Sequence, residues 1–315
     1  MLSVGFMSCS DDDEEENAGV GGSGGGSDAP AMEAPAVNGA GIQFPVTYVN
    51  NGYESTYYRY ENGRMVQGWG AYEPGFLVTS NPLTVKGGDE DNSYTFQNIR
   101  LNNSGFITSC ELTGTEGDSY TYKASLSCSY DEDGHLVLEK GTYLDNEGGK
   151  EEYTATYVWN NGNLVRHEEN NMDVEDGEVE YGRYVCEMEY AGNKYPNSGV
   201  FFEIDVMGGG AAFDGFFFYA GVMGRYSKNI PSKVTIIDYV ENAEESYTFV
   251  TDVTGVEYND NGSVKAVNTM YDGSSRIYQY GYDPVAPSRS AVNAPVVGEK
   301  KMPRVLRRLC EKRMK

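Results

Sequence analysis

Histidine and tryptophan are nearly missing from this chain, at two residues each among 315, and bases are outnumbered by acids, 24 Lys and Arg against 48 Asp and Glu. Each shortage excludes something. A net charge of −24 argues against nucleic acid and anionic membrane as partners, because phosphate binding needs clustered Lys and Arg. Two histidines, His135 and His167, sit apart from each other and from the cysteines, so no zinc ligand set is spelled out. Each lies just past a turn signal, where a solvated side chain is expected. The five cysteines (Cys9, Cys110, Cys128, Cys186 and Cys310) contain no C-x-x-C, and their spacing suggests no disulfide. With a turn near Glu116, Cys110 is expected to face about residue 122 rather than Cys128. No apolar run is long enough to span a bilayer as a helix.

What is abundant is glycine, 39 residues against a usual ~7%, and tyrosine, 26 residues. That pairing suggests many short strands joined by tight turns. From about Phe44 to Tyr282 the dominant hydrophobic period is two. Tyr120, Tyr122, Ala124, Leu126, Cys128 and Tyr130 share one face of a strand, with Thr121, Lys123, Ser125, Ser127 and Ser129 on the other. Tyr153, Ala155, Tyr157 and Trp159 repeat the pattern, as do Tyr184, Cys186, Met188 and Tyr190. One-sided strands of this kind belong to antiparallel sheets.

A turn signature recurs between them: an aromatic, two or three Asn, Asp or Glu, a glycine, a variable residue, then an aliphatic. It covers Tyr60 to Met65, Tyr130 to Leu136, Trp159 to Leu164 and Tyr258 to Val264, with a degenerate copy from Leu101 to Ile107. Asn and Asp start such turns, and Gly63, Gly134, Gly162 and Gly262 are expected at positive φ. These are imperfect repeats of one hairpin, about 29 residues apart where clearest. The expected fold is mainly β: an antiparallel meander of hairpins forming a strongly curved sheet or porin-like barrel. One glycine-rich, aromatic segment breaks the pattern, and a short helix or plug is expected near 213–224. There Phe213, Phe216, Phe217 and Ala220 fall at helical spacing and Asp214 could cap.

The ends are different material. Residues 1–9 read as the remnant of a lipoprotein signal closing on Cys9, the expected lipidation site, with a true start expected upstream of Met1. Asp11 to Glu16 is an unbroken acidic run, and residues 10–43 form an acidic, Gly-rich tether too poor in apolar residues for a core. The expected domain is 44–284, followed by a basic tail over 285–315 whose last seventeen residues hold eight Lys or Arg and two Glu.

The turns resemble, locally, the Tyr-Asp repeats of Rhs-type proteins. Cys9 with its tether, the Tyr-rich hairpins and the stretch from Tyr219 through Gly224, Ser227 and Pro231 to Val234 together resemble a family of Bacteroidales lipoproteins with a porin-like β-domain. The resemblance spans about 44–284. It implies that fold and a lipid-anchored, outer-membrane location, on the cell surface or on the periplasmic face, and it supplies no functional residue.

No nucleophile–base constellation stands out, so neither a catalytic residue, a metal site nor a cofactor is expected. The acidic segments 88–91, 131–133 and 173–176 lack the ligand spacing of a calcium loop. A glycosidase needs only two carboxylates, and nothing in the sequence selects a pair. The expectation is a non-catalytic binding module for a glycan or protein, its ligand-binding residues and oligomeric state unknown. The alternatives are a structural or adhesion protein without a small ligand, a glycan-active enzyme, and a membrane-spanning pore. The pore is disfavoured because Tyr runs all along the apolar faces instead of gathering at two interfaces.

Overall fold

The computed structural model describes residues 41–283, apart from 53–54, 71–74, 81, 89–91, 118, 176, 208–215 and 240–245. Cys9, the tether up to residue 40, Phe213, Asp214, Cys310 and the tail lie outside the described residues.

Sixteen antiparallel strands close into a barrel. They are β1 (Tyr48–Asn50), β2 (Ser55–Glu61), β3 (Arg64–Gly70), β4 (Phe76–Ser80), β5 (Leu83–Gly88), β6 (Asn92–Leu101), β7 (Ile107–Glu116) and β8 (Tyr120–Tyr130). Then come β9 (Leu136–Asp145), β10 (Lys150–Asn160), β11 (Asn163–Glu175), β12 (Glu178–Glu189), β13 (Lys233–Tyr239), β14 (Ser246–Tyr258), β15 (Val264–Tyr271) and β16 (Ser274–Gly281). Each strand pairs with its sequence neighbour, and β1 closes the ring by pairing with β16, Tyr48 opposite Gly281. The expected curved sheet is therefore a barrel.

The recurring turns all fall at one end of it. Gly63, Gly105, Gly134, Gly162 and Gly262 have φ between 74° and 85°, as their sequence context requires. A β-bulge follows each turn at the same place, so that Val66, Thr108, Val137, Val165 and Lys265 are extra residues in their strands. The bulge reverses which residues face inward from there on. Leu136 and Leu164 are buried, and so are the residues three positions later, Glu139 and His167. His167, expected in solvent, is thus 1% exposed between Tyr157 and Tyr184. His135 is buried too, stacked on Trp159 at 4.3 Å with Nδ1 3.0 Å from the Asp131 carboxylate.

The repeat's aromatic has a definite task. Tyr130 donates its hydroxyl proton to the carbonyl of Ile107 (2.8 Å), Trp159 its indole N–H to Leu136 (2.8 Å), Tyr190 to Leu164 (2.7 Å) and Tyr282 to Val264 (2.6 Å). Each aromatic therefore fastens onto the aliphatic position of the preceding repeat. Where the order is interrupted, Tyr60 and Tyr258 donate instead to Tyr219 and Pro196 of the segment between β12 and β13.

That segment, 190–232, plugs the barrel at the turn end. A sixteen-stranded barrel leaves a bore that wall side chains cannot fill. The plug contains two short helices, α1 (Phe202–Met207), which the sequence did not suggest, and α2 (Phe216–Tyr219), inside the expected 213–224 stretch. Every described residue of α2 is buried. Phe216 and Phe217 pack on Phe96, and Tyr219 stacks on Tyr58. From Val222 onward the chain crosses successive turns in steps of three residues. The Val222 carbonyl accepts from Ile107, the Arg225 N–H donates to Gly134, and the Lys228 N–H donates to Gly162.

The inner wall pairs glycine with aromatics. One cross-strand row from β2 to β8 reads Tyr58, Gly68, Phe76, Gly87, Tyr94, Gly114 and Tyr122. Rings lie over glycines: a β-carbon at Gly68, Gly87 or Gly114 would sit 2.1–2.3 Å from the ring of Phe76, Tyr94 or Tyr122. In a neighbouring row Gly141 takes the ring of Tyr153 at 2.0 Å. The excess of Gly and Tyr is one feature, because each residue type makes room for the other.

Candidate functional site

Three surfaces compete for a function: the bore, the outer wall and the rim opposite the plug. The bore is acidic. Glu139, Glu151, Glu169 and Asp173 on β9–β11, and Glu203 and Asp205 on the plug, all lie inside, five of them below 7% exposure. Two are held alike. Glu139 accepts from the hydroxyls of Tyr153 and Tyr157, both at 3.0 Å; Asp205 accepts from Tyr219 (2.7 Å) and Tyr280 (2.8 Å). Burial pushes the carboxyls of Glu139 and Asp205 up to about 7, although the tyrosine hydrogen bonds pull the other way. Glu203 is raised for the same reason, and it bonds Ser227, whose hydroxyl also accepts from the Leu164 N–H. Desolvation likewise raises the Cys110 thiol to about 12, which suits a small buried hydrophobe and not a nucleophile.

Cys110, Cys128 and Cys186 are buried and are not joined in disulfides. Cys110 faces Leu126, not residue 122, because the hairpin turns at 117–119 and Gly114 takes the place opposite Tyr122. Asp131 is spent on its own turn, accepting from the backbone and ring of His135. Asp173 points into the bore from β11 and belongs to no loop. Among the described residues no group of three His, Cys, Asp or Glu could hold a metal ion. Residues 89–91 of the first acidic segment lie outside the described residues.

Over β8–β12 the outer wall is mainly polar and charged. It presents Lys123, Ser125 and Ser127 on β8, Lys140 and Thr142 on β9, Glu152, Thr154 and Thr156 on β10, and an ion-paired patch on β11 and β12. In that patch Arg166 reaches Glu168 (2.8 Å) and Glu187 (2.5 Å), and Arg183 reaches Glu168 (2.8 Å). The two guanidinium groups hold the Glu168 carboxyl down at about 2. A lipid-facing wall needs an apolar band about 25 Å tall, and each Lys or Arg at its middle costs roughly 2–4 kcal/mol. Over β8–β12 this charged wall has no place for such a band, whereas Tyr239, Val250, Met270 and Ile277 are exposed on the outer face of β13–β16.

At the rim away from the plug, a groove of about 360 Å³ lies where β15, β16 and the β1–β2 turn meet. It is lined by Asn50, Gly52, Tyr271, Ser274, Ser275, Arg276, Ile277 and Gln279. Arg276 lies 5.9 Å from the Tyr271 ring centre, and its methylenes run over Gly52, which has φ of 87° and no β-carbon to block them. One residue pair further along the outer face, Tyr48, Tyr57 and Trp69 stand opposite one another on β1, β2 and β3. Tyr48 and Tyr57 are 5.1 Å apart, and Tyr57 and Trp69 are stacked at 5.7 Å and 14°. Asn50 donates to the Ser55 hydroxyl at 2.9 Å between groove and stack. None of this was foreseen from sequence, since it depends on β1 meeting β16 across 230 residues.

No protein-family model matches the chain, and no curated protein matches it. Among solved structures it is similar to a porin-like protein from Bacteroides vulgatus ATCC 8482, with a TM-score of 0.51 and 15% identity over 77% of this chain and 100% of that one. A porin-like protein from Bacteroides uniformis ATCC 8492 aligns at 15% identity over 80% and 100%, with a TM-score of 0.45. The first likeness concerns the fold alone; the second is too distant to carry an argument.

Proposed function

We propose that this chain is a lipid-anchored, outer-membrane-associated surface lipoprotein whose barrel is a non-catalytic binding module for a glycan or protein, not a conduit. One observation carries the reading. The barrel has a charged outer wall over β8–β12 and a bore plugged at one end, so these strands suit water on the outside and packing within. Fold alone does not assign a pore.

The chain ends support an anchored geometry. Ile42 and Val46 are buried at the plugged end, Tyr226 bonds the Gly41 carbonyl at 3.0 Å, and Thr47 bonds the carbonyls of Gly281 and Asp283. A chain anchored through Cys9 would thus join the barrel at its plugged end. Two of the acids inside the bore, Glu139 and Asp205, are tied to tyrosines, which suits a structural role for them better than a glycosidase pair.

Two measurements test this on the full chain. Labelled palmitate should be incorporated and lost in Cys9→Ala. The purified protein should add no conductance step to a planar bilayer. Stepwise conductance, or labelling indifferent to Cys9→Ala, would overturn the proposal.

A further inference from the structure

The binding reading leaves open where and what the module binds, and the rim groove bears on both. Its described lining holds two amides (Asn50, Gln279) and Ser275 on the outer face, and Ser274, the Arg276 guanidinium and the Tyr271 ring at the inner lip. Amides, hydroxyls and guanidinium groups pair with sugar hydroxyls, and aromatic rings cover the C–H faces of sugar rings. The groove volume lies within the ordinary range for small-ligand sites, roughly 300–1,000 Å³.

Its surroundings narrow the class further. A chain with net charge −24 repels polyanions at long range. The aromatic stack begins one residue pair away, and Tyr48 and Trp69 are separated by two inter-strand spacings, roughly 10 Å. That distance suits a chain of sugars rather than one. Polar partners continue beside the stack, where Arg59 donates to Gln67 at 3.2 Å and pairs with Glu61.

Resting on the proposed binding role, we infer that the rim groove and the outer face of β16, β1, β2 and β3 beyond it, as far as the Tyr48–Tyr57–Trp69 stack, form a binding site for a neutral oligosaccharide several sugars long. Asn50 and Gln279 on the outer face and Arg276 at the inner lip of the groove fix hydroxyl positions, and the stack carries the next sugars along the sheet.

Cross-strand aromatic stacks also stabilise sheets without any ligand, so the test must read binding and not stability. The full chain is run in native gels containing α-mannan, mixed-linkage β-glucan, amylopectin or arabinoxylan, with polygalacturonate as the acidic comparison. At least one neutral polymer should retard it and polygalacturonate should not. Trp69→Ala should weaken that retardation at least tenfold, and Trp69→Phe by less than threefold. Gln279→Ala and Arg276→Gln, in the groove and outside the stack, should weaken it severalfold with an unchanged melting temperature, which keeps the test decisive if Trp69→Ala unfolds. No retardation by any of the four neutral polymers, or retardation indifferent to the groove variants, would overturn the site. Either failure leaves palmitate labelling and bilayer conductance, which test the anchored module, unaffected.

Discussion

Gly141→Ala offers the sharpest test of how the wall is built. The new methyl would sit 2.0 Å from Cε1 of Tyr153 and 2.5 Å from its hydroxyl oxygen, distances no side chain tolerates. The ring must leave the face of residue 141. When it moves, its hydroxyl gives up the 3.0 Å bond to Glu139, a carboxyl 2% exposed. Forcing extra volume into a packed interior costs about 1–3 kcal/mol. Losing a hydrogen bond to a buried acid costs about 1–3 kcal/mol more. The variant should therefore lose roughly 2–6 kcal/mol, read as a lower urea midpoint at unchanged slope. Gly262→Ala is the internal comparison. That glycine has φ of 84° and nothing within 4 Å of a β-carbon, so only backbone strain of about 1–2 kcal/mol applies. Tyr153→Leu removes the ring, and in its background Gly141→Ala should cost little. If Gly141→Ala stays within about 0.5 kcal/mol of the parent, or if its cost survives in the Tyr153→Leu background, the ring-over-glycine account is wrong.

Stability should also depend on pH in an unusual direction. Glu139 and Asp205 have folded-state values near 7, raised above their unfolded ones, so the folded state holds their protons while the unfolded state loses them. Their contribution is complete below about pH 4 and lost as pH rises towards 7, and Glu139→Gln with Asp205→Asn should flatten that fall in a urea series. Glu168 works oppositely: its lowered carboxyl adds stability above about pH 4.5 that is lost as pH falls towards 2, and Glu168→Gln should remove this acid limb. Tyr190→Phe removes the 2.7 Å bond to the Leu164 carbonyl and should cost about 1 kcal/mol in chemical denaturation. Gly22→Ala and Gly25→Ala, which lie outside the described residues, should leave the urea midpoint unchanged because such tether composition demands no fixed conformation.

The hairpins, their turn glycines and the barrel class were legible because they rest on local signals: Asn or Asp before Gly, and period two on either side. What was illegible begins one residue beyond each turn. The bulge at Val137 turns Glu139 inward, and the bulge at Val165 does the same for His167. Strict alternation from Leu136 or Leu164 would put both outside. The acidic bore was hidden by that single-residue shift. Gly114 and Tyr122, or Gly141 and Tyr153, meet only once the register is known. The groove needs β1 against β16, a pairing with no local mark at all.

The repeats and the plug explain each other. In an uninterrupted ring, every aromatic would fasten to the aliphatic position of the preceding repeat, as Tyr130, Trp159, Tyr190 and Tyr282 do. Tyr60 and Tyr258 are the two places where the preceding element is not a tight hairpin, and both reach into the plug instead. The plug in turn takes its path from the turns, meeting Ile107, Gly134 and Gly162 at three-residue steps through Val222, Arg225 and Lys228. A plug tied to wall backbone at so many points is part of the fold's hydrogen-bond accounting, since removing it would strand those groups inside a wide bore. The same ties weigh against transport through the bore. On the proposed binding reading the ligand meets the barrel on its surface, and the polar groove around Arg276 with its neighbouring aromatics is the part of that surface best equipped for a sugar chain.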